Sequence, residues 1–333
     1  MQKPRLLWLD AAKALAILLT ITGHTINGAF RDMIYSFHMP LFFMLSGYTF
    51  KPLEGRFLPA LRKDFKRLAV PVLFVCLLQL GFNTLTAPAS FPGQLKQTIL
   101  SILWGNGCSK YSLPGIGIVW FLTALFLSKQ LYRLIAAKVT RFRLLFLLVL
   151  AFCGMYIGRY VWLPQSLDLV LVSLPFLEAG SLYRRAEERS PKALPALGCL
   201  CFCVWAYATY HRSISLEMAI RYFPFSMICL LVAAAGSIWV IQFVQATENF
   251  SWFMKPLAFL GRHSLALMCV HALDDNFCQV WDLAMRTGSQ SMVLAALSLI
   301  LRIVCDILIL LIWLALGHVL QKFRQKHPAH TEK

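Results

Sequence analysis

Apolar runs long enough to cross a membrane recur along almost the whole chain, at about 6–26, 34–50, 68–85, 116–134, 144–161, 167–182, 193–210, 222–243, 256–278 and 292–320. A helix needs roughly 18–20 such residues to cross about 30 Å of hydrocarbon, where its backbone polar groups must be satisfied internally. The pattern predicts an all-α, polytopic integral membrane protein with about ten transmembrane helices. Composition agrees, since 59% of the 333 residues are hydrophobic and the mean hydropathy is +0.65, against about 45–50% apolar residues in soluble domains. The expected organisation is one transmembrane domain over 1–320 and a basic cytoplasmic tail over 321–333.

A net charge of +17 would suit a nucleic-acid partner, but the placement of the charge argues against one. Alternate connections between the runs, with both termini, hold 23 of the Lys and Arg residues, and the intervening loops hold seven. Positive charge is retained on the cytoplasmic side, so both termini are expected there, in a multi-pass protein of the cell inner or plasma membrane. The longest outer loop, about 83–115, is rich in Gly, Pro, Ser and Asn and reads as irregular structure. Ten Cys, among them Cys76, Cys153, Cys201, Cys203, Cys229 and Cys269, lie scattered with no CxxC, which implies neither a disulfide framework nor a metal site. The start MQKPRLLWLD is weakly signal-like, but Asp10 and Lys13 interrupt it and no small-residue cleavage site follows, so it reads as a span.

Ionisable residues inside spans are costly and usually face a cavity or a partner. In the first run Asp10, Lys13, Thr20 and His24 share one helical face. Lys13 and His24 are eleven residues apart, about 20° out of line and roughly 16 Å apart along the axis. The second run opens with Ser36, Phe37, His38, Met39 and Pro40, and the ninth carries His271, so three His are expected at similar depth near the outer side. Asp10 and Lys13 read as an i, i+3 pair, and Arg302 with Asp306 as an i, i+4 pair that ties the last helix to a neighbour. Glu178 is expected to pair with Arg184, Arg185 or another helix. The segment KPLEGRFLPALRKDFKRLAVP gathers Lys51, Arg56, Arg62, Lys63, Lys66 and Arg67. Such cations serve topology and anionic lipid, and they are also what a phosphorylated cytosolic ligand requires.

With these residues in view, LDAAKALAILLTITGH followed by SFHMPLFFMLSGYTF resembles the membrane-bound acyltransferase 3 family, in particular its fucose 4-O-acetylase-like branch. The family's mark is a basic residue and a His with ten residues between them; Lys13-x10-His24 satisfies it, with Lys where Arg is usual. RKDFKRLAVP resembles the basic segment entering the third span. IVWFLTALF, LPFLEAGSLYRR and LGRHSLALMCVH, the last with Ser264 and His271, resemble later pieces, so the likeness covers nearly the whole chain. It implies an O-acetyltransferase that takes an acetyl group from cytosolic acetyl-CoA and delivers it to a hydroxyl of a cell-surface or lipid-linked glycan, with no metal.

Acyl transfer from a thioester to an alcohol needs a base for the hydroxyl and stabilisation of the oxyanion. His24 is the expected general base, with a covalent acyl-His route as its rival. Lys13 lies too far along the helix to act on the same atom and is expected on the donor, with Arg62, Lys63, Lys66 and Arg67 near its nucleotide. His38 or Ser46 would orient the substrate or serve the oxyanion; Asp10, Glu178, Ser264 and His271 are the supporting candidates. A different class, a transporter or flippase for a small polar solute or lipid-linked sugar, would also use buried Asp, Lys and His, but the runs show no paired broken helices in two matching halves.

Overall fold

The computed structural model describes residues 6–52, 57–107, 110–212, 214, 216–276 and 292–326; the end of the basic tail, 327–333, lies outside them. Fourteen α-helices are described: α1 (Leu7–Thr25), α2 (Ala29–Tyr35), α3 (His38–Tyr48), α4 (Phe57–Asp64), α5 (Val70–Thr86), α6 (Phe91–Trp104), α7 (Trp120–Lys138), α8 (Arg143–Gly158), α9 (Leu167–Arg189), α10 (Leu194–Arg212), α11 (Met227–Ala246), α12 (Ser251–Arg262), α13 (Ser264–Leu273) and α14 (Met292–Lys326). Seven helical stretches are long and apolar enough to cross a membrane, and eight if α12 and α13, bent by 67°, count as one broken span. The all-α polytopic expectation therefore holds. Two of the expected ten, α3 with 11 residues and α8 with 16, are shorter than a usual span.

Local chemistry explains where the expected boundaries moved. The run 34–50 is divided between α2 and α3, because Pro40 has no N–H to give to the carbonyl four residues back and a turn at Ser36 and Phe37 absorbs the mismatch. Pro71 acts similarly. It leaves the Arg67 carbonyl without its helical donor, and the turn before it, Phe65–Ala69, widens into a π-helix joining α4 to α5. The loop 83–115 is not wholly irregular: Pro92 starts α6 and Gly105, at φ +103°, ends it. Leu95, Thr98, Ile99 and Ile102 recur at the helical period, a signal outweighed at the sequence level by the flanking Pro and Gly.

Helix α1 lies at the centre, in contact with α2, α3, α11, α12, α13 and α14. Its Ala11, Ala12, Ala14 and Ala16 are completely buried. Between helices in lipid there is little hydrophobic drive, so small residues that admit close backbone packing decide which faces meet. Gly261 of α12 illustrates this: a Cβ there would lie 1.6 Å from the Asp10 carbonyl oxygen. Gly47 and Gly180 play the same part between α3 and α9, each against the other helix's backbone.

The last helix has the opposite character. Most of α14 faces outward, and its buried residues are Ser298, Arg302, Asp306 and Leu310, every fourth position along one stripe. An apolar helix that buries mainly polar side chains is anchored by specific bonds more than by oil. Those bonds lead to the site.

Candidate functional site

Two cavities lie back to back along α1. The outer one, about 420 Å³, is walled by His24 of α1, Tyr35 of α2, His38 and Met39 of α3, Trp120 of α7, His271 of α13, Arg302 of α14, and loop residues that include Gly107, Ser112, Trp162 and Glu217. The inner one, about 110 Å³, is walled by Lys13, Phe42, Ser46, Thr49, Arg67, Phe121, Lys129, Ser264 and Met268, among others. Adjacent positions on three helices pass from one to the other: Met39 and Phe42, Trp120 and Phe121, Met268 and His271. The partition is therefore about one helical turn thick. Lys13 and His24, roughly 16 Å apart along α1, each line one of the two chambers.

In the outer cavity the three expected histidines do meet. The His24 ring lies 5.5 Å from that of His271 and 6.2 Å from that of Tyr35, whose ring is 4.8 Å from His38, centroid to centroid. His24 has an exposed face although protein surrounds it, because its accessible surface is cavity wall. No described residue hydrogen-bonds its ring, so both nitrogens are open to a substrate. His38 differs. Its Nδ1 donates to the Ile34 carbonyl over 3.0 Å, an acceptor that fixes the proton there and leaves Nε2 with its lone pair.

His271 has the most elaborate surroundings. Its Nδ1 meets Asp274 Oδ2 at 3.0 Å and Asp306 Oδ2 at 3.1 Å. Arg302 donates to both oxygens of Asp274, at 2.6 and 2.8 Å, and Nη1 reaches the His24 carbonyl at 3.4 Å. The α14 pair therefore departs from expectation: Arg302 binds Asp274 at the end of α13 and Asp306 binds His271. It still ties the last helix to its neighbours. The second oxygen of Asp306 is buried without a hydrogen-bond partner. Among the described side chains two carboxylates and one guanidinium stand beside His271. The ligand atoms of His271, Asp274 and Asp306 lie within 4.8 Å of one another, but Arg302 already supplies positive charge to the group.

Charged side chains behind the outer cavity hold its wall residues Tyr35, Glu217 and Trp162. Arg31 donates to both oxygens of Glu217, at 3.1 and 3.0 Å, and lies 4.2 Å over the Tyr35 ring. Partial burial works against its charge, yet Tyr35 and Glu217 outweigh that and raise its pKa above the ordinary value. Arg221 pairs with buried Asp168 at 2.7 Å and lies 4.1 Å over Trp162. Aromatic faces beside fixed polar groups suit a polyhydroxylated ligand, whose C–H faces stack while its hydroxyls bond.

In the inner cavity Lys13 and Ser46 sit with Arg67, Lys129 and Ser264. Lys13 is paired to Asp10 at 3.2 Å, as its spacing predicts. Ser46 and Ser264 are thus on the Lys13 side and not beside His24. Arg62, Lys63 and Lys66 are exposed and line neither chamber, whereas Arg67 reaches the inner one from the widened turn before Pro71. Glu178 lines neither; it is buried against Tyr132, Arg143 and Arg185. Sequence reasoning missed Asp274, Tyr35, Glu217, Trp120 and Trp162. Only Asp274 had a local signal, three residues after His271 on the same helical face.

The acyltransferase domain family matches residues 6–317 of the chain. The chain is also similar to two proteins described as nodulation protein NolL. One, from Sinorhizobium fredii (strain NBRC 101917 / NGR234), is 27% identical over 226 residues, covering 60% of this chain and 58% of the relative. The other, from Mesorhizobium japonicum (strain LMG 29417 / CECT 9101 / MAFF 303099), is 25% identical over 317 residues, covering 83% of this chain and 80% of the relative. The chain thus spans less than two thirds of the first relative's length. No solved structure matches it.

Proposed function

The chain belongs to the acyltransferase domain family, and from that premise we propose that it is a membrane O-acetyltransferase carrying an acetyl group from acetyl-CoA to a glycan hydroxyl. The observation that carries this reading is the pair of chambers separated by one helical turn. One chamber bears cations and the other bears histidines. A donor whose phosphates stay on the basic side can extend its thin acyl-bearing arm past Lys13 toward Phe42, Phe121 and Met268, while a sugar enters from the other side.

The chemistry then needs little more than the outer chamber contains. A glycan hydroxyl, cell-surface or lipid-linked, rests among Tyr35, Trp120 and Trp162. His24 takes the hydroxyl proton as the oxygen attacks the thioester carbonyl. The C–O bond forms, the C–S bond breaks, and the proton goes to the departing thiolate. Asp274 and Asp306, bonded to the neighbouring His271, supply the negative charge that offsets the positive charge developing on the His24 ring. His38 orients the acceptor through Nε2. Lys13, with Arg67, holds the donor.

The direct test is transfer of radiolabelled acetyl from acetyl-CoA to a fucosylated oligosaccharide by the purified protein in lipid nanodiscs. Transfer is expected, and a protein that neither transfers nor hydrolyses the thioester would sink the reading. Lys13→Gln should raise KM for acetyl-CoA about ten-fold with kcat little changed, since a hydrogen bond to a charged group contributes about 1.5 kcal/mol or more.

Orientation belongs to the same proposal, since the donor is cytosolic. The Lys and Arg partition supports cytoplasmic termini in the cell membrane. Ser90→Cys and Thr140→Cys place labels at two exposed loop positions. In intact cells an impermeant thiol reagent should mark the first and reach the second only after permeabilisation. The opposite pattern would invert the arrangement and put the cations on the wrong side for a cytosolic donor.

A further inference from the structure

A third cavity, about 520 Å³, opens where α3, α7 and α9 end and α8 begins, and four arginines wall it: Arg133, Arg143, Arg184 and Arg185. Their pairing is uneven. Arg143 grips Glu178 through two bonds of 2.7 and 2.9 Å, and Arg185 reaches the same carboxylate at 3.0 Å. Arg133 and Lys129 share Asp64, at 2.6 and 2.7 Å. Arg184 bonds Glu188 at 3.0 Å through Nε, so its two Nη groups remain to donate elsewhere. Five cations therefore share three carboxylates, and two positive charges are left over. The next acid, Glu187, does not itself wall the cavity; it accepts from Gln245 and from Tyr48, which does.

We propose that this arginine-walled cavity is a phosphate-binding site, its ligand being either the nucleotide phosphates of the acyl donor or the headgroup of an anionic lipid. The guanidinium fork fits phosphate oxygens in pairs, and a concave wall of several forks selects a dianion over chloride or a carboxylate. Simple retention of charge on one side of a membrane would not require concavity or shared carboxylates. The cations of α4, spread on an exposed face, meet that need already. Position adds a second argument. Lys129 lines the inner chamber and Arg133, one turn on, lines this cavity, with Asp64 bonded to both. A donor whose arm enters the inner chamber would have its phosphates at this wall; that assignment of the ligand rests on the acetyl-CoA reading, whereas the site itself does not.

Arg133 and Arg185 can be removed without stranding a carboxylate, because Asp64 keeps Lys129 and Glu178 keeps Arg143 and Tyr132. The full-length protein in phosphatidylcholine nanodiscs would be titrated calorimetrically with adenosine 3′,5′-bisphosphate, which has the phosphates and lacks the thioester arm. The parent should bind it, and Arg133→Gln with Arg185→Gln should weaken binding at least ten-fold. Arg184→Gln alone, at an exposed pair, should weaken it measurably if the double variant does not purify folded. Nanodiscs with added phosphatidylglycerol identify the source: competition with the bisphosphate in the parent and none in the variant marks a lipid headgroup site, and absence of competition marks the nucleotide. Equal bisphosphate binding by parent and variants, or none by the parent in either lipid, overturns the site. Acetyl transfer measured on the same preparations fails or survives separately, so a lost site and a lost enzymatic reading cannot be confused.

Discussion

His24→Ala should lower kcat by about 10²–10⁴, the loss expected when a positioned general base is removed, or roughly 3–5 kcal/mol of barrier. It should do so without unfolding the protein. The ring faces a cavity and no described residue hydrogen-bonds it, so its removal leaves no buried donor or acceptor unmatched. Binding of acetyl-CoA should persist, because Lys13 and Arg67 lie in the other chamber. His38→Ala should cost less if that ring only orients the acceptor. His271→Ala is a different experiment, since it strips a partner from two buried aspartates and should lower stability together with rate. Turnover per folded molecule and thermal stability, measured on the same purified variants, separate these effects. A folded His24→Ala protein working at the parent rate would remove the base from His24.

Arg302→Leu should be the most destabilising single change in the site, by about 3–5 kcal/mol, because it leaves Asp274 charged and buried with its bidentate partner gone. The side chain is 7% exposed and that of Asp274 only 1%, so water cannot take over. The loss would spread beyond the pair. Arg302 links α14 to the end of α13 and to the His24 carbonyl, and α14 has few other buried residues to hold it. Arg302→Leu combined with Asp274→Leu should recover much of the stability, since removing both charges removes the stranded one. Activity should stay low in that double variant, because His271 would have lost one of its two carboxylates. The monodisperse fraction surviving a heating series in detergent reads the first effect and acetyl transfer the second. A single variant as heat-stable as the parent would show that the ion pair does not anchor α14.

Much of this protein is legible in its sequence. Span-length apolar runs determine an all-helical membrane protein, because lipid leaves the backbone no other way to satisfy itself along such segments. The helical period placed Lys13 and His24 on one face, and the spacing of Asp10 and Lys13 gave their contact. What one helix does at its own period can be read from the chain.

Contacts between helices could not be read this way. Arg302 and Asp306 were visible as a pair at i, i+4, yet each found a better partner across the bundle, because a guanidinium in lipid goes to the carboxylate that meets it squarely and not to the nearest in sequence. Ser46 shares the second run with His38 but lies roughly 12 Å further along α3, and only the packing around that helix shows that a chamber boundary falls between them. Arg62, Lys63 and Lys66 looked as suitable for phosphate as any residues in the chain, while Arg133, Arg143, Arg184 and Arg185 came from separate segments. Only the packing of α3, α7, α8 and α9 made the second set concave and left the first on an open face. Charge is written in the sequence. Convergence of charge is a property of the packing, because close approach of helices in lipid depends on a few glycines and alanines whose partners lie far away in the chain.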